Sequence, residues 1–173
     1  RFKLKDFEIK SELLIDEFLV GNNLKLKKLF PKIKKSVLFS KNKLTVTYNK
    51  EGLLIKGKGD IFLQDNNDEI TYIFNKKNEI FDFKSSIKIK NNPFVIDLLN
   101  YEKNPETETL IKLDGKKNKK KQILINLFSL EENKNLIMLE DLIFDKKLKI
   151  IDLSKFNLDY IDRENQKNSI RLY

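Results

Sequence analysis

The stretch Phe81-Asp-Phe-Lys-Ser-Ser-Ile-Lys-Ile89 decides the fold, because apolar and polar residues alternate along it. On an extended chain, one face carries the apolar residues Phe81, Phe83, Ile87 and Ile89. The other face carries Asp82, Lys84, Ser86 and Lys88. A period of two is the signature of a β-strand with one buried and one solvated face. The stretch therefore predicts a strand that packs on one side only.

The same alternation recurs on both sides of this stretch. The apolar positions of the other runs are Leu44, Val46 and Tyr48; Leu53, Ile55, Ile61 and Leu63; and Phe156, Leu158 and Tyr160. Turn-forming polar clusters separate the runs, at residues 49–52, 65–68, 75–78, 91–93, 103–106, 114–118, 131–133 and 145–147. This spacing leaves strands of roughly 8–11 residues, longer than the usual five or six, and no room for crossover helices.

These patterns predict an all-β protein, a long-stranded antiparallel meander. Three runs carry apolar residues on both faces, at residues 94–99, 123–130 and 136–139. A sheet packed on one side does not need a second apolar face. We therefore expect a sheet folded into a trough or left as an open groove, with a small closed barrel as the alternative.

The first 40 residues show no clear alternation. Leu14, Ile15, Phe18 and Leu19 have helix-like spacing, but Leu13 to Ile15 fits a strand equally well. Residues 24–35 form a basic segment in which Pro31 would shorten or break a helix. We divide the chain into an N-terminal extension at 1–40, with strand and at most one short helix, and a β-sheet segment at 41–173.

The net charge of +9 and the pI of about 9.4 raise a polyanion as a partner. The excess is almost entirely lysine, since arginine occurs only at Arg1, Arg163 and Arg171. The chain also contains no alanine and few glycines, as an AT-rich genome would produce. Lysine is therefore interpreted as a default residue at solvated positions rather than as evidence for nucleic acid.

No residue pattern indicates catalysis. The absence of cysteine and histidine removes disulfides, thiolate metal ligands, the usual general base and the commonest metal ligand. The carboxylates Asp60, Asp82, Asp97 and Asp159 fall on solvated positions and do not converge as a catalytic pair. We expect a non-enzymatic protein without catalytic residues, metal or cofactor.

Two features of the sequence suggest a ligand that is negatively charged or that stacks on aromatic rings. The basic run at residues 116–121 is the best candidate for contact with phosphates or lipid headgroups, although a hairpin tip needs no partner. Tyr72, Phe74, Phe81 and Phe83 are suitable for stacking on bases, but aromatic residues that alternate on one face more often form a core. The solvated tip and the core are the favoured interpretations.

Several stretches resemble one family. They are Gly52-Leu-Leu-Ile-Lys-Gly-Lys-Gly-Asp-Ile-Phe-Leu-Gln64, then Asp68-Glu-Ile-Thr-Tyr-Ile-Phe74, Phe81-Asp-Phe83, Asn92-Pro-Phe-Val-Ile-Asp-Leu-Leu-Asn-Tyr-Glu-Lys103 and Lys149-Ile-Ile-Asp-Leu-Ser-Lys-Phe-Asn-Leu-Asp-Tyr160. The pattern of residues in these stretches is similar to that of AsmA-like proteins of the YhdP and TamB type, over about residues 40–173. The resemblance implies a β trough in the Gram-negative periplasm, along which phospholipid acyl chains pass between the inner and outer membranes. It also implies a parent protein anchored to the inner membrane by a segment outside this chain.

On this interpretation the chain is a non-enzymatic segment for phospholipid transport or envelope integrity. Its partners are phospholipid acyl chains, with inner- and outer-membrane proteins as further candidates and nucleic acid not expected. The expected lipid-binding residues are Leu44, Val46, Leu53, Ile55, Ile61, Leu63, Phe81, Phe83, Ile87, Ile89, Phe156 and Leu158. The alternatives are a basic β-sheet module that binds nucleic acid or another polyanion, and a structural repeat without ligand. Since the chain begins at Arg1 and ends in an apparent strand, we expect it to be part of a longer protein.

Overall fold

Each alternating run forms one long strand in the computed structural model, which describes residues 7–21 and 26–172. The strands are β1 (Glu8–Gly21), β2 (Ser36–Asn49), β3 (Gly52–Phe62), β4 (Asp68–Lys77), β5 (Ile80–Ile89), β6 (Val95–Ile96), β7 (Tyr101–Glu102), β8 (Thr109–Lys117), β9 (Ile123–Glu132), β10 (Asn135–Phe144), β11 (Ile150–Ile161) and β12 (Lys167–Leu172). Ten of them form a single antiparallel sheet in the order β1-β2-β3-β4-β5-β8-β9-β10-β11-β12. The sheet is open, which confirms the predicted all-β meander and excludes the closed barrel.

The register of the sheet gives it one apolar and one charged face. On the inner face, Ile70 of β4 pairs with Ile87 of β5, which pairs with Ile111 of β8. On the outer face, Lys56 pairs with Ile73, which pairs with Lys84. Residues that are paired across antiparallel strands share a face, so the alternation of each strand is carried across the whole sheet.

Two connections that do not belong to the large sheet cover part of the inner face. Residues 26–35 follow β1 and contain one 3₁₀ turn, Leu26–Lys28. Residues 90–108 separate β5 from β8 and contain the hairpin of β6 and β7 and a second 3₁₀ turn, Asp97–Leu99. We call these two segments the cap. Their buried side chains include Phe30, Phe94 and Tyr101.

The hydrophobic core lies between the cap and one half of the inner face. Its sheet residues include Ile61, Ile89, Leu130 and Ile137, which are 0–3% exposed. Burying such side chains is the main stabilising contribution to the fold, about 1.5–3 kcal/mol for each large aliphatic residue. Since the cap covers only one end of the strands, the sheet has a capped half and an uncapped half.

Residues 94–99, predicted as a strand of the sheet with two apolar faces, belong instead to the cap. Phe94, Ile96 and Leu99 pack onto the core from outside the sheet. The helix-or-strand question at residues 11–20 is resolved as strand, because β1 pairs with β2 along its length. The large sheet therefore extends before the predicted boundary at residue 40, which falls within β2.

Candidate functional site: an apolar stripe beside a capped core

Buried polar side chains fasten the cap to the sheet. Gln64, at the end of β3, is fully buried and bridges both cap segments. Its side-chain Oε1 accepts a hydrogen bond from the Lys32 N–H at 2.9 Å, and its Nε2 donates to the Pro93 carbonyl at 2.7 Å. The two segments also bond directly, from the Val95 N–H to the Leu29 carbonyl at 3.0 Å. The two cap segments are therefore joined to each other and to the chain that follows β3 by these hydrogen bonds.

A second fastening joins the start of the 90–108 segment to the turn before β4. The side-chain Nδ2 of Asn92 donates to Asp68 Oδ2 and to the Asn66 carbonyl, each at 2.7 Å. Asp68 also accepts from the Lys90 N–H at 3.1 Å. Both Asn92 and Asp68 are only 1% exposed, so these hydrogen bonds satisfy polar groups that water does not reach.

A third fastening uses the carboxylate of Glu132, which is 2% exposed at the end of β9. It accepts hydrogen bonds from the Tyr101 hydroxyl at 2.6 Å and from the Asn104 N–H at 2.9 Å. Further donors to it are the Thr107 and Thr109 hydroxyls and the Asn135 side-chain amide. Burial and this hydrogen bond to the carboxylate raise the pKa of the Tyr101 hydroxyl far above its usual value. Tyr101 therefore remains a proton donor to Glu132.

Lys103 places one buried ammonium group among these carboxylates. Its Nζ donates to the carbonyls of Lys90 and Asn104, both at 2.8 Å. Burial lowers the pKa of this ammonium below 10.5, while the charges of Glu132 and Asp68 partly oppose the shift. A buried charge is tolerated when it is paired and hydrogen-bonded. The cluster is thus explained as a structural fastening of the cap.

The pKa of Asp68 predicts how this fastening responds to pH. Burial raises this pKa above its ordinary 3.8, against the hydrogen bonds from Asn92 and Lys90. At a pH between the unfolded and folded pKa values of Asp68, folding is therefore accompanied by uptake of a proton. The stabilisation that results is fully present below pH 3.8 and is lost as pH rises through the folded pKa. We expect wild-type protein to lose stability relative to Asp68→Asn as pH rises over this window, in urea titrations from pH 3 to 7. A wild-type protein that gains stability relative to Asp68→Asn as pH rises would contradict the raised pKa.

The uncapped half of the inner face carries two adjacent rows of residues that cross the sheet perpendicular to the strands. Register pairs connect the first row from β2 to β11: Val46, Ile55, Phe74, Phe83, Gly115, Ile125, Leu142 and Leu153. The second row is Leu44, Gly57, Tyr72, Ser85, Leu113, Phe128, Leu139 and Phe156. Neither row contains a charged residue. We call the two rows the apolar stripe.

The stripe borders the core and is less completely buried than the core. Tyr72, Gly115, Ile125 and Leu142 are buried, while the other side chains are half-buried. Beyond it, at the uncapped ends of the strands, Tyr48 is 48% and Phe81 is 37% exposed. The half-buried side chains of the stripe therefore keep access to solvent that the capped core has lost.

Rings in mutual contact run through the stripe to its exposed side. Tyr72 lies 5.5 Å from Phe74, Phe74 stacks on Phe81 at 5.5 Å, and Phe81 lies 6.4 Å from Phe83, measured between ring centroids. The Tyr72 hydroxyl donates to Asn42 Oδ1 at 3.1 Å, which satisfies its polar end. These four rings pack on one another, as in the core interpretation of the aromatic pattern.

The expected lipid-binding residues separate into two sets. Ile61, Leu63, Ile89 and Leu158 are buried on the capped half, which places them in the core rather than along a groove. The structure places the other eight at or beside the stripe: Leu44, Val46, Leu53, Ile55, Phe81, Phe83, Ile87 and Phe156. Ile87 lies at the boundary, half-buried against the core.

Six stripe residues were not singled out by sequence: Leu113, Ile125, Phe128, Leu139, Leu142 and Leu153. Alternation does not show which face they occupy, because the backbone is irregular near them. One irregularity is the register shift between β8 and β9 at Asp114 and Gly115. Asp141 of β10 also has a positive φ of 53°. Each irregularity interrupts the period of two, so simple alternation assigns the following residues to the wrong face. The Asp114-Gly115 pair was a signal for the first interruption.

A depression on the outer face is lined mainly by apolar atoms. Its lysines Lys84 and Lys112 each pair with an acid, Asp114 at 2.6 Å and Glu131 at 2.7 Å. Among residues 7–21 and 26–172, no group of three acidic residues is placed to hold a metal ion. Within the same residues, no helix has the length and apolar character to cross a membrane.

Comparison of the chain with family models, with curated proteins and with solved structures gives no match.

Proposed function

We propose that this protein binds the acyl chains of lipids along the apolar stripe and catalyses no reaction. The observation that carries the proposal is an uncharged surface that crosses eight strands without interruption. Tyr72 of this surface belongs to the core cluster, and six other stripe residues pack against that cluster. Most side chains of the stripe are half-buried, so part of this surface stays in contact with water. Apolar surface that remains in contact with water favours a ligand that covers it.

The dimensions of the stripe suit acyl chains. Eight strands at about 4.8 Å spacing give a length of about 34 Å from β2 to β11. One leaflet of a bilayer holds acyl chains of about 15 Å, half of its hydrocarbon core. Each methylene that leaves water for an apolar surface contributes about 0.8 kcal/mol. A chain that lies parallel to the strands and crosses both rows of the stripe removes methylenes from water, and a length of about 34 Å gives room for several such chains side by side.

The cellular role belongs to the same proposal and rests on the resemblance to AsmA-like proteins. In that role, the stripe is one section of a periplasmic path for phospholipids between inner and outer membranes, in a parent protein anchored to the inner membrane. The resemblance alone supports this location. The proposal of acyl-chain binding rests on the stripe and does not depend on the resemblance.

Two adjacent residues of β5 provide the test. Phe81 points to the inner face and Ile80 to the outer face, yet each is 37% exposed. A carboxylate introduced at either position would therefore be exposed to water to a similar extent in the folded protein without ligand. We expect Phe81→Asp to weaken binding of a fluorescent C16 fatty acid by about tenfold or more, because a buried charge opposes apolar contact. Ile80→Asp should leave the affinity within about twofold.

Val46→Asp, at the β2 end of the stripe, extends the test beyond one strand. Thermal melts of all three variants report whether the fold persists. The proposal predicts weaker binding for Phe81→Asp and Val46→Asp with melts that stay cooperative. Equal affinities for Phe81→Asp and Ile80→Asp would contradict it, and so would a wild-type protein that fails to bind the probe.

A further inference from the structure

The two ends of the strands differ in charge. At the uncapped end, four turns connect the strands, at residues 50–51, 78–79, 118–122 and 145–149. These turns contain seven lysines and three acids. At the other end, the turns at 63–67, 133–134 and 162–166, together with both cap segments, 26–35 and 90–108, contain nine basic residues and seven acids, so the excess of positive charge is smaller there. We call the uncapped end the basic margin.

Most lysines of the basic margin have no anionic partner in the described part of the chain. Exposed lysines without an ion pair there are Lys117, Lys119, Lys120, Lys121, Lys146, Lys147 and Lys149. Two of the three acids in these turns have other partners: Glu51 pairs with Lys77 at 2.9 Å, and Asp145 accepts the backbone N–H groups of Lys147 and Lys149. The margin thus keeps an uncompensated positive charge.

The basic margin runs alongside the apolar stripe. Lys117 pairs in register with Phe81 on one side and with Ile123 on the other, so it stands at the end of the inner face. Lys76 pairs with the same Phe81 from β4. A row of ammonium groups therefore borders an uncharged surface along several neighbouring strands. This arrangement matches a molecule that is apolar along its length and anionic at one end.

We propose that the stripe and its margin together select anionic phospholipids, with the acyl chain on the stripe and the headgroup phosphate among the margin lysines. The inference rests on the proposed function, because it assumes that acyl chains occupy the stripe. Positively charged side chains attract anionic headgroups, whereas a zwitterionic headgroup presents no net charge. The margin adds headgroup preference to a surface that would otherwise bind any acyl chain.

The depth of the uncapped half agrees with this orientation. From Phe81 at the margin to Ser85 in the second row is four residues, about 13 Å along a strand. An acyl chain of one leaflet is about 15 Å long. A lipid with its phosphate at the margin can thus lie along the strands until its chain reaches the capped core. Several lipids can then stand side by side across the sheet.

Short-chain lipids with identical acyl groups test the preference. The probes are dihexanoyl phosphatidylglycerol, which is anionic, and dihexanoyl phosphatidylcholine, which is zwitterionic, both as monomers. We expect wild-type protein to bind the anionic lipid about tenfold more tightly. In the triple variant Lys117→Gln, Lys119→Gln, Lys147→Gln, the preference should fall to about threefold or less, with the affinity for phosphatidylcholine within twofold of wild type.

A matched triple variant removes the same charge from the capped end. Lys27, Lys28 and Lys35 are exposed on the cap segment 26–35, and Lys27→Gln, Lys28→Gln, Lys35→Gln should leave the preference unchanged. Equal loss in both triples would mean that net charge alone is responsible and would overturn the inference. Equal wild-type affinity for the two lipids would overturn it while acyl binding still stands. If neither lipid binds, the proposed function fails too.

The same proteins distinguish lipid from nucleic acid. A single-stranded oligonucleotide should bind more weakly than the anionic lipid and compete poorly for it. Tight oligonucleotide binding that is lost in the margin triple and falls steeply with salt would show that the lysines contact a nucleic-acid backbone instead. That result would overturn the lipid assignment of the margin.

Discussion

Phe94→Ala is expected to lower the free energy of unfolding by about 3–5 kcal/mol, the usual loss for a buried phenylalanine. Phe94 is 1% exposed and belongs to the cap segment 90–108. Its ring meets that of Phe30 edge-on at 5.1 Å, so truncation removes contacts between both cap segments as well as with the sheet. For a chain of this size, the melting temperature should fall by at least about 6 °C. Urea titration followed by circular dichroism measures the change.

Leu98→Ala is the matched control within the same segment. Leu98 is 94% exposed, so its truncation should change stability by less than about 0.5 kcal/mol. The double variant Phe30→Ala, Phe94→Ala should destabilise by less than the two single variants added together, because the two rings contact each other. If Phe94→Ala had no more effect than Leu98→Ala, the cap would not be packed on the sheet as described.

The long strands were predictable because their physics is local. Residues 81–89 alternate strictly, and the structure forms β5 there, Ile80–Ile89. The turn at 49–52 has polar residues and a glycine, and Asn49 does accept the backbone N–H groups of Glu51 and Gly52. Where one face is buried and turns are polar, a period of two leaves only the antiparallel meander.

The cap was not predictable, because its stability depends on distant partners. Residues 94–99 are as apolar as a strand, and nothing local shows that they pack across the sheet. The polar residues that fasten them, Gln64, Asn92, Lys103 and Glu132, stand in clusters that resemble solvated turns. Residues of these types are mostly exposed in proteins, so their burial follows only from the tertiary structure.

The candidate site was predictable only in part, for a related reason. Eight expected residues lie at or beside the stripe because strand alternation identifies the inner face. It does not identify which half of that face the cap covers, so Ile61 and Ile89 were grouped with Phe81. The basic margin also required the topology, since its lysines are separated along the chain and are brought to one end by four hairpins.

Glu132→Ala is expected to destabilise the protein by about 3–5 kcal/mol, as for removal of one partner from a buried charged network. The substitution deprives the Tyr101 hydroxyl and the Asn104 N–H of their acceptor in a site that is 2% exposed at this residue. It also removes one of the two carboxylates whose charges favour the buried ammonium of Lys103. Unsatisfied buried donors each cost about 1–3 kcal/mol, which supports an effect of this size.

Glu131→Ala tests whether burial, rather than loss of a carboxylate, causes that effect. Glu131 precedes Glu132 on β9 but points to the outer face, where it pairs with Lys112 at 2.7 Å and both side chains are 44% exposed. Such surface pairs contribute about 0–1 kcal/mol, so this variant should unfold within about 1 kcal/mol of wild type. Hydrogen exchange should then show the amides of residues 101–104 losing protection in Glu132→Ala but not in Glu131→Ala. Equal effects on stability would mean that the Glu132 network does not hold the cap.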